Sequence, residues 1–347
     1  MNRQTLVDAM AQVFPAVASN PTAEECVDFL FTGNKIRASD GQILIEATLP
    51  EDAGLGCRVP ADGFFKYIRA IHDEEIKFDL DETTLTVKAG RKKYKTSVAM
   101  DPKQLSKLTL ENIDWKPVPA GLIEGIRRVR FAAAKTTSQG ALCGVRVEDN
   151  HVMAANAFRI AVFTMDDAVM EDGGFNVTQE LASQLVRYEC EITEWAWKSG
   201  VLYFRTPTLV IAALALFGQY PDVMKWVEDT EDLSIEVNLP EETRESLRRL
   251  QALQKEEATL DQEVLVSFAE GEMTLTSEGR DGSYRVDEKF DVPAEVAPMK
   301  FKIHPGFFSD ILGESQVVKV VKVAENGQFA RFESEGFVYL SATERVG

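Results

Sequence analysis

The sequence predicts an α+β fold built as three tandem repeats, each running helix, hairpin, helix, hairpin, and three observations support this. A hairpin pattern recurs along the chain, two amphipathic helical patterns accompany each copy, and the strand patterns close on short turns of the antiparallel kind. The best-defined copy is GALCGVRVEDNHVMAANAFRIAVFTM, Gly140 to Met165. Val145 and Val147 alternate with polar residues before an Asp149-Asn150 turn, and Val152, Ala154, Phe158 and Ile160 mark the return. Shifted back by 116 residues without a gap, the pattern lands on FLFTGNKIRASDGQILIEATL. There Gly33-Asn34 takes the turn, Ile36 and Ala38 match Val152 and Ala154, and Ser39-Asp40 match Ala155-Asn156. A third copy, LVSFAEGEMTLTSE, turns at Glu270-Gly271 and returns through Met273 and Leu275. One supersecondary unit therefore organises the chain.

Repeat one, residues 1–117, opens with a helix from about Asn2 to Val13 that presents Leu6, Val7, Met10, Val13 and Phe14 on one side and ends at Pro15. The hairpin of Cys26 to Thr48 follows, then a helix, ADGFFKYIRAI, that buries Phe64, Phe65, Ile68 and Ile71. EIKFDL and TLTVKAG pair around Asp81 to Thr83, and a basic stretch, Arg91 to Lys95, leads into a strand from Tyr94 to Met100. Repeat two, residues 118–236, begins after the loop of Pro117 and Pro119 with the helix GLIEGIRRVRFAAAK, whose buried stripe is Leu122, Ile126 and Val129. After its hairpin comes a helix capped by Asn176 or Thr178, then strands ECEITEWAW and VLYFR around Lys198-Ser199-Gly200. Repeat three, residues 237–347, starts with Pro240 in the first turn of the helix EETRESLRRLQALQKEE, with Leu247, Leu250 and Leu253 inward. Its second helix, IHPGFFSDIL, matches VPADGFFKYI of repeat one, and VVKVVKVAENGQFARFE closes around Asn326-Gly327 before a last strand, Phe337 to Leu340.

Composition narrows the function classes. A chain of 347 residues exceeds one compact core. Hydrophobic content of 45% and mean hydropathy of -0.16 are ordinary for a soluble protein. The longest apolar run, Leu209 to Phe217, is a buried strand and too short to span a membrane. The N-terminus lacks a continuous apolar signal region, so a cytoplasmic protein without membrane partners is expected. Cys26, Cys57, Cys143 and Cys190 lie far apart, as reduced, mostly buried thiols. His72, His151 and His304 have no neighbouring ligand, so neither a metal nor a cofactor is expected. No phosphate-binding glycine loop, metalloprotease helix or nucleophile elbow occurs, which argues against an enzyme. The acidic pair Asp166-Asp167 could hold Mg²⁺ in a metal-dependent nuclease, but it falls in a surface turn.

Net charge is -18, yet the positive charges are grouped. Arg244, Arg248, Gln251 and Lys255 recur on the polar face of the third-repeat helix; Arg127, Arg128 and Lys135 belong to the first helix of repeat two, and Lys66 and Arg69 to repeat one. Acidic residues gather in turns and linkers instead: Asp73-Glu74-Glu75, Asp166-Asp167, Glu171-Asp172 and Glu228 to Asp232. Any one basic face is ordinarily solvated; recurrence across repeats makes these eight cations candidate contacts to nucleic-acid phosphates.

At this level the chain resembles the bacterial DNA polymerase III beta sliding clamp family. ALCGVRVEDNHVMAANAFRIAVF is similar to the family's strand, turn and Ala-Thr-Asp-Gly-His-Arg-Leu-Ala segment, with Arg159 on the family's arginine, and Tyr220-Pro221-Asp222 resembles its Phe-Pro-Asp entry to the third domain. The resemblance implies a head-to-tail homodimeric ring of DNA-clamp repeats around double-stranded DNA, sequence-independent in its contacts, that tethers polymerase without chemistry. Twelve helices about 10 Å wide would give a ring of roughly 38 Å through helix centres. Edge strands of the first and third domains would make the joint, with Tyr94 to Met100 the first-domain candidate. The resemblance also implies a pocket for short peptides of DNA polymerase and clamp loader, walled by Leu142, Ala155, Phe158, Arg159, Ile160, Pro221, Trp226, Val338 and Leu340. Departures at Ala155, Asn156, Ala157 and Phe158, and a chain end reading SATERVG, mark a divergent member of the kind a phage would encode. The competing readings are the nuclease and an acidic scaffold that binds only proteins.

Overall fold

The computed structural model describes residues 1–19, 27–100, 108–169, 173–230, 235–254, 262–279, 282–296, 298–312, 317–323 and 327–345. The first helix, α1 (Arg3–Val13), starts where the Asn2 side chain accepts from the Thr5 amide at 3.1 Å and buries Leu6, Val7, Met10 and Val13. A three-stranded meander follows, β1 (Asp28–Thr32), β2 (Lys35–Ser39) and β3 (Ile43–Thr48). Then come β4 (Arg58–Pro60) and α2 (Ala61–Ala70), whose Phe64 and Ile68 are fully buried. A separate sheet is made by β5 (Lys77–Leu80), β6 (Thr84–Ala89) and β7 (Lys92–Ser97). The expected strand of Tyr94 to Met100 thus begins and ends earlier. Gly90, at φ 53°, turns the chain sharply enough for pairing to resume at Lys92. Beyond Ser97 the backbone leaves β6, and Ala99 bridges to Arg58 instead.

Repeat two contributes β8 (Lys116–Pro117), α3 (Leu122–Val129), β9 (Val145–Glu148), β10 (His151–Ala155), β11 (Arg159–Thr164) and β12 (Gly174–Val177). The expected return strand through Phe158 and Ile160 is in fact two strands. The Asn156 carboxamide accepts from the amides of Phe158 (2.8 Å) and Arg159 (3.1 Å), which turns the chain back so that β11 pairs antiparallel with β10. Asp40 does the same in repeat one, accepting from the Gln42 and Ile43 amides at 2.8 Å. Both β2 and β3 reappear 116 residues later with identical lengths as β10 and β11. Next come α4 (Gln179–Arg187), β13 (Glu194–Lys198), β14 (Val201–Arg205) and β15 (Leu209–Leu214). Of the two cap candidates, the Thr178 hydroxyl accepts from the Leu181 amide at 3.2 Å, while Asn176 donates to the Leu216 and Gly218 carbonyls. The apolar run from Leu209 is a strand only to Leu214, and Phe217 is 80% exposed.

A short helix, α5 (Met224–Asp229), stands where a plain linker was expected. It is followed by β16 (Ile235–Asn238), α6 (Thr243–Leu253), β17 (Val264–Ala269), β18 (Glu272–Glu278), β19 (Arg285–Asp291) and β20 (Met299–Ile303). The chain closes with α7 (Pro305–Ile311), β21 (Val317–Val323), β22 (Gly327–Ser334) and β23 (Phe337–Arg345). Pro240 precedes α6 rather than entering it, its carbonyl accepting from the Thr243 amide. The α6 stripe is also rotated from expectation: Thr243, Ser246, Leu247 and Leu250 are buried, but Leu253 is 48% exposed. Gln254 takes the inner position, donating to the Glu263 carbonyl (2.6 Å) and the Ser277 hydroxyl (3.0 Å). On α7, the His304 imidazole is the cap, Nδ1 accepting from the Gly306 and Phe307 amides. Asn326 of the last expected turn, like Cys26, lies outside the described residues.

The described helices fall two to a repeat, α1 and α2, α3 and α4, α6 and α7, with α5 between the second and third pairs. The chain forms two compact units, residues 1–119 with 183–215 and residues 120–182 with 216–347. In the first, an eight-stranded sheet runs β4-β1-β2-β3-β15-β14-β13-β8, beside the β5-β6-β7 sheet. In the second, the order β12-β9-β10-β11-β23-β20-β17-β18-β19 continues through β23 to β22, β21 and β16. Each unit pools strands from successive repeats, because β3 pairs with β15 and β11 with β23. Continuous sheets, not repeat boundaries, define the units.

Candidate partner groove and basic faces

Within the second unit, β10, β11 and β23 lie side by side, with Ala155 opposite Ile160, Ile160 opposite Leu340 and Val162 opposite Val338. Alternation puts Met153, Ala155, Ile160, Val162, Val338 and Leu340 on one face. Over that face lie Val223, just before α5, and Met224 and Val227 of α5, and Leu142 and Tyr220 also pack against the cluster. Leu340 is fully buried, whereas Trp226 is 42% exposed, its ring 5.7 Å from Phe329. Pro221 is exposed just before the helix. Six of the nine expected wall residues therefore gather about one apolar cluster, Leu142, Ala155, Ile160, Trp226, Val338 and Leu340, while Pro221 is exposed at the entry to α5.

The structure places the other two elsewhere. Arg159 neighbours Ile160 in β11, so its side chain leaves the opposite face. It is 5% exposed, and its guanidinium lies 4.3 Å from the Phe307 ring centre and 5.3 Å from that of Phe131. It pairs with Asp310 at 2.8 Å and donates to the Phe131 carbonyl. Tyr339, fully buried in the same layer, donates to the Phe307 carbonyl at 3.2 Å, and burial pushes its phenol up to about 12. Phe158 is 40% exposed and faces Phe307, in a recess it shares with Lys302, His304 and Thr343. Both residues thus belong to the contact between the β10–β11 turn and α7.

One residue at the groove carried no signal in the sequence. Arg331 of β22 is 3% exposed and donates to the Val227 carbonyl (2.6 Å) and the Thr230 hydroxyl (2.7 Å), with Glu333 holding its Nε at 2.6 Å. A cation at the C-terminal end of α5 opposes the negative end of the helix dipole and ties the Val227 carbonyl to the sheet.

The expected phosphate-binding residues have diverse surroundings. On α2, Lys66 is exposed and paired with Asp62 at 2.7 Å, and Arg69 is exposed. On α3, Arg127 is exposed, 3.9 Å from Glu124. Arg128 is instead engaged in packing: it donates to the Ser334 hydroxyl at 2.7 Å and the Glu335 carbonyl at 3.1 Å, over the rings of Phe163 and Phe337. Lys135 is exposed beyond that helix, Arg248 is exposed on α6 and Arg244 is half-buried there. Lys255 lies outside the described residues. Asp166 and Asp167, the acidic pair considered for a metal, are both exposed.

No family model matches the sequence, and no curated protein does. Solved structures match the fold over its whole length. A DNA polymerase sliding clamp from Caulobacter crescentus has a TM-score of 0.83 at 17% identity, covering 100% of this chain and 99% of that one. The DNA polymerase III beta subunit of Thermotoga maritima gives 0.81 at 20% identity, again covering 100% and 99%. The beta subunit from the DNA polymerase of Streptococcus pyogenes gives 0.83 at 16%, with the same coverage. The chain has the fold of these proteins, in α+β repeats, from end to end.

Proposed function

We propose that this protein is a DNA sliding clamp, a non-enzymatic processivity factor that encircles duplex DNA as a head-to-tail homodimer and tethers a DNA polymerase. The observation that carries the reading is the full-length match: at TM-scores of 0.81 to 0.83, 99 to 100% of both chains align despite identities of 16 to 20%. A fold retained to that extent while the sequence drifts fits selection for shape, which a ring requires. Three clamp domains, 1–117, 118–236 and 237–347, two chains to a ring, supply the twelve helices. Lys66, Arg69, Arg127, Lys135, Arg244, Arg248 and Lys255 are the phosphate contacts in this reading, with Arg128 bracing its own helix. The groove of Leu142, Ala155, Ile160, Pro221, Trp226, Val338 and Leu340 takes an apolar anchor of a polymerase or loader peptide. Arg159 and Phe158 support it from the other side of the sheet.

Unpaired edges favour the joint. In the order of its sheet β7 is an edge, with Lys92, Lys93 and Lys95 exposed; β19 is an edge of the twelve-stranded sheet and carries three acids, Asp287, Glu288 and Asp291, against two cations, Arg285 and Lys289. Two copies of β7 repel each other, whereas β7 and β19 attract, so pairing is head to tail. No helix among the described residues is long and apolar enough to cross a membrane. Light scattering tests the assembly: the reading expects two 38.6 kDa chains per particle. A concentration-independent monomer removes the ring.

A further inference from the structure

The most basic stretch of this acidic chain, KAGRKKYK from Lys88 to Lys95, is only partly used by an edge-strand joint. In the β5-β6-β7 sheet, Lys77 stands opposite Lys88, and Lys88 opposite Lys93. Two residues further on, Asp79, Thr86 and Lys95 make the next row. Residues two apart share a face, so Lys77, Lys88, Lys93 and Lys95 form a flat lattice about 5 Å by 7 Å in its spacings. Asp79 is the one carboxylate of that face within the three strands. It binds Lys88 at 2.9 Å, and the Lys88 hydrogen bond, helped by Lys93 and Lys95, holds its carboxyl below the usual range. The other face carries Phe78 and Tyr94 against α2, with Phe64 and Phe78 ring centres 6.5 Å apart and Tyr67 stacked on Tyr94 at 4.3 Å. The lysines therefore point away from the helix that carries Lys66 and Arg69.

Like charges set opposite one another on a sheet are destabilising, and lysine is a poor strand residue. Lysines on β5 and β7 also blunt edges, but Lys88 is on the central strand. We propose that this lysine face is a second nucleic-acid contact that holds the phosphodiester backbone without reading sequence. Its rows contain Lys, Asp, Thr and Ser and no apolar residue, so a protein partner finds no anchor there. A flat array of point charges suits phosphates. The inference does not depend on ring closure.

The test is fluorescence anisotropy of a labelled 20-nucleotide single strand and the matching linear duplex, titrated with the full chain at 50 and 200 mM salt. Replacing Lys77, Lys88, Lys93 and Lys95 with Gln should weaken both complexes at least 10-fold at the lower salt. Four lost phosphate contacts should flatten the log-log salt slope by about 3.6 for duplex and about 2.8 for single strand. The Lys77→Gln, Lys88→Gln pair, which leaves β7 intact, should lose about half of each slope change, and the four Lys→Arg changes should keep the binding. The Arg244→Gln, Arg248→Gln variant should keep the lysine-dependent part of the slope, which separates this surface from the clamp reading. Unchanged affinity and slope in both Gln variants would overturn the proposal. So would displacement by polyglutamate as effective as by unlabelled oligonucleotide at equal charge, since that means an acidic protein is the ligand.

Discussion

The first and second meanders share a backbone but not a surface, and the contrast shows how the same positions can carry a polar knot or an apolar cluster. Residue for residue at the 116 offset, Arg37 corresponds to Met153 and Glu46 to Val162. In repeat one those positions form a polar knot: Glu46, 3% exposed, accepts from Lys35 at 2.7 Å and is paired with Arg37. The neighbouring cluster around Leu44 is covered by Leu108, Leu110, Ile113 and Trp115, and Trp115 lies edge-on to Tyr203 beneath Arg205. In repeat two the pair is apolar and continuous with Val223, Val227 and Leu340, and Trp226 is left 42% exposed. The first junction is closed by its linker; the second is covered by α5, which leaves Trp226 and Pro221 exposed at its edge.

Importing the polar knot should break the contrast most severely. Val162→Glu alone leaves an uncompensated buried charge and should cost about 3–5 kcal/mol in urea unfolding. Adding Met153→Arg should restore part of that, and the double variant should no longer bind a peptide with a leucine or aromatic anchor. If the single variant unfolds like wild type, the face is wetter than this account requires. Next, Trp226→Ala should weaken that peptide by about 2 kcal/mol, roughly 30-fold, with the melting temperature little changed. Equal affinity would place partners elsewhere.

The reverse exchange sharpens the comparison. Glu46→Val leaves Lys35 and Arg37 facing an apolar side chain; both are part-exposed, so the loss should be about 1–3 kcal/mol, and Arg37→Met should recover most of it. Failure of that recovery would mean the knot is not an independent unit. The smallest effect is in pH. Hydrogen bonds from Lys35 and Arg37 outweigh the burial that would raise the Glu46 carboxyl, and hold it below its usual 4.5. A depressed carboxyl stabilises the fold above its unfolded value and loses that contribution as pH falls through the folded one. The stability gap between wild type and Glu46→Gln should therefore be full at pH 6 and shrink below pH 4.5. A gap that widens on acidification contradicts the assignment.

Much of this was legible in the residues because turns recur. Gly33-Asn34, Asp149-Asn150 and Glu270-Gly271 punctuate the strands, and Asp40 and Asn156 make the same side-chain turn 116 residues apart. The division of the groove was obscured by reading Val152 to Ile160 as one strand. Once Asn156 breaks it, the alternation restarts at Arg159, and Arg159 and Ile160 fall on opposite faces. Six residues of α5 are too few for a helical period to show, and Arg331 looks like any strand cation until Val227 and Thr230 are in place. The apolar stripe of α6 ends at Leu250; Leu253 is exposed and Gln254 turns inward, where it finds two polar partners. Packing decides such positions after local pattern has done its part.

Encirclement of DNA is a topological property, and retention on DNA tests it most directly. Protein assembled from dilute subunits in the presence of nicked circular duplex should stay bound through a 0.5 M salt wash, where phosphate contacts alone fail. It should be released when one restriction cut makes the circle linear. Protein that washes off the circle, or that is held equally well by the linear molecule, would contradict the clamp.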